Sequence, residues 1–224
     1  MKPYYETKLG KLYHGDCLEI MPMLEPVDLV LTDPPYGIGV ACDGFSRAKG
    51  DFYNGKWIDG KNYGVQTWDD KPPPPEYFNR LLKISKNQII FGGNYFIEWL
   101  KNSSCWIVWD KDNGKNNNAD CELAWTSFET AVRKFRYRWN GMFKEAPEIR
   151  YHPTQKPVGL FVQILDKYSK DSDIVLDTHL GSGTTAIACE RLNRRWIGIE
   201  IEEKYCEISA KRIEKERSQL KLFT

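Results

Sequence analysis

Four residues, Ile174-Val175-Leu176-Asp177, form a short apolar run that stops at an acid, and a glycine-rich turn follows almost at once. That turn, Gly181-Ser182-Gly183-Thr184-Thr185, opens a segment of helical character through Leu192, and Arg195-Trp196-Ile197-Gly198-Ile199-Glu200 then reads as a second strand. Strand, glycine turn, helix and strand within about 30 residues make a βαβ unit. Such a unit sets two parallel strands side by side with a helix across them, which commits the chain to an α/β sheet rather than a sandwich or a bundle.

The turn departs from the dinucleotide pattern G-x-G-x-x-G, because two threonines follow Gly183. Glycines here let the backbone approach a ligand closely, and Glu200 ends the second strand where an acid can hold both ribose hydroxyls. Asp177, at the end of the first strand, would repel a pyrophosphate and face a cation. A ligand with a ribose and an ammonium fits this pair of acids, and S-adenosylmethionine is such a ligand.

The remaining chain extends the same pattern. Lys11 to His14 reads as a strand running into Gly15-Asp16, and Asp16 either caps a helix through Met23 or reaches into a site at the strand end. Val27 to Thr32 is a buried strand, Glu76 to Leu82 a helix, Gln88 to Phe91 a strand, Tyr95 to Leu100 a helix and Cys105 to Trp109 a strand. Leu123–Phe128 and Ala131–Trp139 read as the two strands of a hairpin, followed by an amphipathic helix from Val158 to Tyr168 and a closing one from Glu203 to about Leu220. The alternation of strands and helices predicts a mainly parallel sheet with helices on both faces and a small hairpin or loop insertion.

The Val27–Thr32 strand ends in Asp33-Pro34-Pro35-Tyr36. Each proline fixes its φ and removes an N–H, so the turn is stiff and its carbonyls remain free to accept. A carboxylate, an aimed carbonyl and a ring then meet at the carboxyl end of a strand, where open α/β sheets bind ligands. That set can accept both hydrogens of an exocyclic amino group while the ring stacks on its base. An ordinary strand-ending turn with an incidental tyrosine is the other reading.

From Gly37 to Pro75 periodicity is lost, and Arg47, Lys49, Lys56 and Trp57 interleave cations with rings, as a nucleic-acid-binding loop or a solvated segment would. Arg133, Lys134, Arg136 and Arg138 fall in the second strand of the expected hairpin. Alternation puts Lys134, Arg136 and Arg138 on one face, a phosphate contact or a solvated strand face, with Phe135, Tyr137 and Trp139 on the other. The formal charge of +1 over 224 residues means that any nucleic-acid surface must come from such clusters. Six scattered cysteines without a Cys-x-x-Cys, and three isolated histidines, argue for reduced thiols in a cytoplasm-like compartment and against a metal site. No apolar run is long enough for a membrane helix.

Taken in order, six segments resemble a known family. They are Gly15-Asp16-Cys17, Asp33-Pro34-Pro35-Tyr36, Phe91-Gly92-Gly93-Asn94, His152-Pro153-Thr154-Gln155-Lys156-Pro157, Asp177 with Gly181-Ser182-Gly183-Thr184-Thr185, and Gly198-Ile199-Glu200. Together they resemble the DNA amino-methyltransferases of the beta class, which modify adenine N6 or cytosine N4, in a compact stand-alone or phage-type build. The resemblance implies a Rossmann-like class I methyltransferase fold in one domain over 1–224. Its catalytic region would lie near 10–110, target recognition near 110–150 and cofactor binding near 151–224.

It further implies that Asp33 and the Pro34 carbonyl hold the target amine, beside Pro35, and that Tyr36 stacks on the extruded base. Asp177 and Gly181, Ser182 and Gly183, with Thr184 and Thr185 behind them, would cradle the methionine part of S-adenosylmethionine. Glu200 would hold its ribose, Asp16 its adenine, and Thr154, Gln155 and Lys156 its carboxylate. Double-stranded DNA is the implied partner, a homodimer is possible on the same grounds, and the setting is the cytoplasm of a prokaryotic or phage-infected cell. The family's Pro-Phe after the motif acid is replaced here by Thr178-His179. Asp33, where cytosine enzymes tend to carry Ser, favours adenine over cytosine N4. A non-catalytic DNA-binding subunit is the alternative from another class, and a nicotinamide oxidoreductase is opposed by the acidic first turn.

Overall fold

The computed structural model describes residues 1–39, 51–53, 56–58, 69–113, 119–140, 143–151 and 154–220. The strands in chain order are β1 (Tyr5–Glu6), β2 (Gly10–His14), β3 (Val27–Thr32), β4 (Asp51–Tyr53), β5 (Lys56–Ile58), β6 (Ser85–Phe91) and β7 (Trp106–Asp110). They continue as β8 (Cys121–Thr126), β9 (Arg133–Arg136), β10 (Trp139–Asn140), β11 (Phe143–Lys144), β12 (Ile174–Asp177) and β13 (Arg195–Glu200). The α-helices are α1 (Cys17–Ile20), α2 (Pro75–Ile84), α3 (Val158–Tyr168), α4 (Thr184–Arg191) and α5 (Glu203–Leu220).

Nine strands form one sheet in the order β1-β2-β13-β12-β3-β6-β8-β7-β9. From β2 to β6 every pairing is parallel, while β8 runs antiparallel between β6 and β7. The central strands are buried on both faces, and their apolar residues divide by alternation. Leu29, Leu31, Ile89 and Phe91 join the core under α3, α4 and α5, whereas Val30, Ile90 and Leu176 join the core under α1 and α2. The expected α/β architecture with helices on both faces is the observed one. Among the described residues no helix is long and apolar enough to cross a membrane. Cys17, Cys105, Cys121, Cys189 and Cys206 are free thiols, and Cys42 lies outside the described residues.

Three local expectations are corrected. Leu123–Phe128 and Ala131–Trp139 do not pair as a hairpin: β7 lies between β8 and β9, and β9 runs parallel to β7. Trp125 explains the order, since it is buried and sits opposite both Ile90 and Trp106, so β8 needs a strand on each side. Tyr95–Leu100 is a 3₁₀ turn, Gly93–Tyr95, followed by irregular turns. Its backbone leaves the helical region at Phe96, which turns into the core while Tyr95 and Ile97 stay exposed. The helix expected through Met23 ends its α-helical part at Ile20 and finishes as a 3₁₀ turn containing Pro22, which has no N–H to continue an α-helical ladder.

The parallel strands all end at one edge of the sheet. Glu200 pairs with His14, Asp177 with Gly198, and Thr32 with Ile90, so the ends of β2, β13, β12, β3 and β6 lie side by side. The chain leaves β12 toward β13 on one side and β3 toward β6 on the other. This reversal between β12 and β3 opens a crevice above their carboxyl ends, where α/β sheets place their ligands.

Helix α3 secures the face beneath that crevice through Phe161, fully buried and stacked on Phe91 with centroids 5.3 Å apart and planes 13° from parallel. Phe161→Ala is expected to destabilise the fold by about 3–5 kcal/mol, the range for emptying a large aromatic from a core. Chemical denaturation monitored by circular dichroism checks this; a loss well under 1 kcal/mol would contradict it.

Candidate active site

The crevice is a cavity of about 660 Å³ lined by the three strand-end acids Asp33, Asp177 and Glu200. Pro35, the glycine-turn residues Gly181, Ser182, Thr184 and Thr185, and Thr154, Gln155 and Lys156 line the same cavity. β3 and β12 are held together at this point by Thr32 Oγ, which donates to Asp177 Oδ1 at 3.0 Å.

Every oxygen of the two strand-end acids on the glycine side is engaged. Asp177 accepts from Thr32, from the His179 N–H at 3.0 Å and from Thr185 Oγ at 2.5 Å. Glu200 accepts the Gly181 N–H at 2.7 Å and the Glu202 N–H at 2.8 Å, which ties the glycine turn to β13. Gly183, at φ +90°, is the N-cap of α4 and packs against Ser209, so a side chain there would meet both backbone strain and a neighbour. Burial pushes the Asp177 carboxyl up to about 6 and the Glu200 carboxyl up to about 7, because neither has a cation beside it.

The Asp33 turn is built differently. Tyr36 O–H donates to Asp33 Oδ1 at 2.6 Å, and the Lys156 ammonium donates to Asp33 Oδ2 at 2.5 Å and to the Tyr36 hydroxyl at 3.3 Å. Asp69 fixes the backbone of the turn by accepting the Tyr36 and Gly37 N–H groups at 2.8 and 3.0 Å. The Tyr36 ring lies against Gly92, whose positive φ and missing side chain make room for it, and it stacks on Tyr95 at 5.0 Å. Burial pushes the Asp33 carboxyl up against the pull of Lys156. For Lys156, burial works downward, but Asp33 and Glu122 outweigh it and hold the ammonium above its ordinary value.

Other residues singled out in the sequence fall in several places. Asp16 is the N-cap of α1, its carboxylate accepting the Leu18 N–H at 2.8 Å. Gln155 is occupied in holding the loop: its Oε1 accepts from Tyr151 N–H and Ser182 Oγ, and its Nε2 donates to Glu148 and the Ile149 carbonyl. Lys134, Arg136 and Arg138 share the exposed face that alternation assigns them, but Lys134 pairs with Asp110 and the two arginines with Asp112. Arg133 is exposed on the same strand. Arg47 and Lys49 lie outside the described residues, as do the side chains of Lys56 and Trp57 on β5.

Four participants escaped the sequence reading. Glu122, Asp69 and Tyr95 reach the site from distant segments without a local motif. Thr178-His179, noted only as a departure, forms a network in which Thr178 Oγ meets Thr32, Tyr77 and His179, and His179 lines the cavity.

A family model for N6/N4 methyltransferases, described as DNA methylase, matches residues 111–211. The chain is 26% identical over 250 residues to the type II methyltransferase M2.LlaDCHI of Lactococcus lactis subsp. cremoris, an alignment that covers 96% of this chain and 93% of that protein. It is 27% identical to the type II methyltransferase M.HinfI of Haemophilus influenzae, covering 95% of this chain and 70% of the relative. The chain is thus similar to type II DNA methyltransferases over nearly its whole length, and residues 111–211 match the DNA methylase model. Among solved structures, M1.HpyAVI in complex with S-adenosylmethionine matches with a TM-score of 0.57 and 25% identity, covering 91% of this chain and all of that one. The cytosine-N4-specific PvuII DNA methyltransferase shares the fold at a TM-score of 0.61 and 18% identity, over 97% of this chain and 93% of its own. The likenesses are all to DNA methyltransferases, and M1.HpyAVI is solved with S-adenosylmethionine bound. The cavity fits that cofactor chemically, since its two buried acids suit hydroxyl and ammonium donors rather than phosphates.

Asp177 and Glu200 accept such donors fully only when ionised. Affinity for S-adenosylmethionine should be complete above about pH 7 and fall as pH drops through 7 and then 6, by about tenfold per unit for each carboxylate required. Isothermal titration of the cofactor across this range checks the sign, and a flat profile would contradict it.

Proposed function

We propose that this enzyme methylates the N6 amino group of adenine within a specific sequence of double-stranded DNA, acting on a base turned out of the helix. The observation that carries this reading is the shared cavity, lined both by Asp33 and Pro35 and by the glycine turn with its two acids. When bound, S-adenosylmethionine supplies an electrophilic methyl on a sulfonium sulfur. The Gly181–Gly183 turn and Asp177 hold the methionine part, with Thr184 and Thr185 behind, and Glu200 holds the ribose. Asp16 lies toward the adenine, and Thr154 and Gln155 lie toward the carboxylate, while the Lys156 ammonium is turned to Asp33 instead.

An adenine amine is a poor nucleophile because its lone pair is delocalised into the ring. Asp33 and the Pro34 carbonyl accept its two N–H groups, which favours a pyramidal nitrogen with an available lone pair. The same acceptors stabilise the positive charge that develops on that nitrogen, and they need no reorganisation to do so. Turning the base out of the duplex costs about a few kcal/mol. Stacking on Tyr36, in the place Tyr95 now covers, returns roughly 1–3 kcal/mol.

DNA is gripped by Arg133, Lys134, Arg136 and Arg138 together with the Arg47, Lys49, Lys56 and Trp57 loop, and target recognition lies within 110–150. Three of these cations are already paired with acids, so the recognition surface of one chain is small, and this favours a homodimer. Cytosine N4 is the second reading, supported by the fold shared with a cytosine-N4-specific enzyme, because the same geometry serves any exocyclic amine. Asp33, rather than Ser, at the head of the turn favours adenine. The reading places the enzyme in the cytoplasm of a prokaryotic or phage-infected cell, where duplex DNA is accessible to it.

Incubating unmethylated DNA with the enzyme and labelled S-adenosylmethionine, followed by nucleoside mass spectrometry, tests the reading. N6-methyladenine is expected, N4-methylcytosine supports the second reading, and no labelled base overturns both. Asp33→Ala should lower turnover by about a thousandfold or more, the scale expected when a preorganised acceptor is lost, with cofactor affinity within about threefold of wild type. Equal loss of turnover and affinity would contradict this division of roles.

A further inference from the structure

We propose that the Lys156 ammonium stands in for the target amine at Asp33, and that Glu122 is the positioning residue that receives it when the amine arrives. The inference rests on the methyltransferase reading and adds to it a residue that no motif marks.

Lys156 is almost wholly buried and offers its N–H groups to Asp33 Oδ2 and the Tyr36 hydroxyl. Its nitrogen also lies 5.6 and 5.4 Å from the ring centres of Tyr36 and Phe91. A nitrogen donating to Asp33 beside the Tyr36 ring is the chemistry an extruded amino group presents. With Tyr36 on Oδ1 and Lys156 on Oδ2, both oxygens of Asp33 already have a donor. The amine must therefore share Asp33 with the ammonium or displace it.

Sharing is unfavourable during transfer. Positive charge grows on the amine nitrogen, and a neighbouring cation in a water-poor site would oppose it. Glu122 offers the alternative. It is the second residue of β8, at the same sheet edge, and its Oε2 is 3.1 Å from Lys156 Nζ. That oxygen is buried and lacks an aligned hydrogen bond, while Oε1 is held by Lys111 at 2.6 Å. One ammonium thus already lies within ion-pair range of two carboxylates, one with its oxygens engaged and one with a vacant acceptor. A rotation of the Lys156 side chain toward Glu122 frees Asp33 Oδ2 without moving a proton or changing the net charge of the cluster.

The test is single-turnover methylation at saturating S-adenosylmethionine by wild type, Glu122→Gln, Glu122→Asp, Lys156→Gln and the double variant Glu122→Gln/Lys156→Gln, with fold checked by circular dichroism. Glu122→Gln should slow transfer about tenfold or more, Glu122→Asp should recover most of the rate, and Lys156→Gln, which loses a residue of the site itself, should be slower than wild type but keep a measurable rate. In the Lys156→Gln background the effect of Glu122→Gln should shrink to about twofold or less, since Glu122 acts only through that ammonium. Cofactor affinity, measured separately by titration without DNA, should stay within about twofold in Glu122→Gln. An equal deficit in both backgrounds, a wild-type rate for Glu122→Gln, or a folded but inactive Lys156→Gln would overturn the proposal. Unfolding of both Glu122 variants would assign the residue to the fold and also overturn it. Absence of transfer by the wild type would instead overturn the methyltransferase reading.

Discussion

Thr32 and Asp177 stand 145 positions apart in sequence and meet in a buried hydrogen bond of 3.0 Å. That contact marks where β3 and β12 run in parallel and where the chain's direction of travel across the sheet reverses. The Asp33 turn follows Thr32 by one residue, and the glycine turn follows Asp177 by four. Had β3 paired elsewhere, the two turns would open onto different parts of the sheet edge, and no ligand could touch both. The pairing of these two strands makes one cavity out of two unrelated sequence segments.

The electrostatics of the cavity divide along the same line. On the glycine side, burial lifts Asp177 and Glu200 toward neutrality, and neighbouring carboxylates add to it, while hydroxyl and backbone N–H donors pull the other way. A ligand that brings donors or positive charge relieves that penalty. At the Asp33 turn the acid is already satisfied, by Tyr36 and Lys156. Breaking such a buried pair by removing one partner leaves an uncompensated charge, at a cost of about 3–5 kcal/mol. A substrate amine therefore enters more readily if the displaced cation has a second carboxylate at hand, and Glu122 lies beside it.

Much of this was legible in local sequence. The helix Val158–Tyr168 and the strands Ile174–Asp177 and Arg195–Glu200 have the expected bounds, because apolar periodicity and flanking Pro, Gly and acidic residues all agree there. The alternation expected through Trp139 is also observed, with Tyr137 and Trp139 buried and Lys134, Arg136 and Arg138 exposed. What escaped was set by long-range pairing. Nothing within Leu123–Phe128 says that its neighbours will be β6 and β7 rather than the next strand in the chain. The same blindness hid Glu122, whose closeness to Asp33 arises only because β8 begins at the edge where β3 ends. The helix expected at Tyr95–Leu100 failed for a local reason, the left-handed Gly92 and the inward turn of Phe96, which the apolar spacing alone does not reveal.

A crystal structure of the enzyme with S-adenosylmethionine tests the central claim most directly. The account predicts the amino and ribose groups on Asp177 and Glu200 and the sulfonium methyl turned toward Asp33. Between the methyl and the Asp33 carboxylate there should be room for a nitrogen about 3–3.5 Å from the methyl carbon. A cofactor whose methyl points away from Asp33, or that binds outside this cavity, would contradict it.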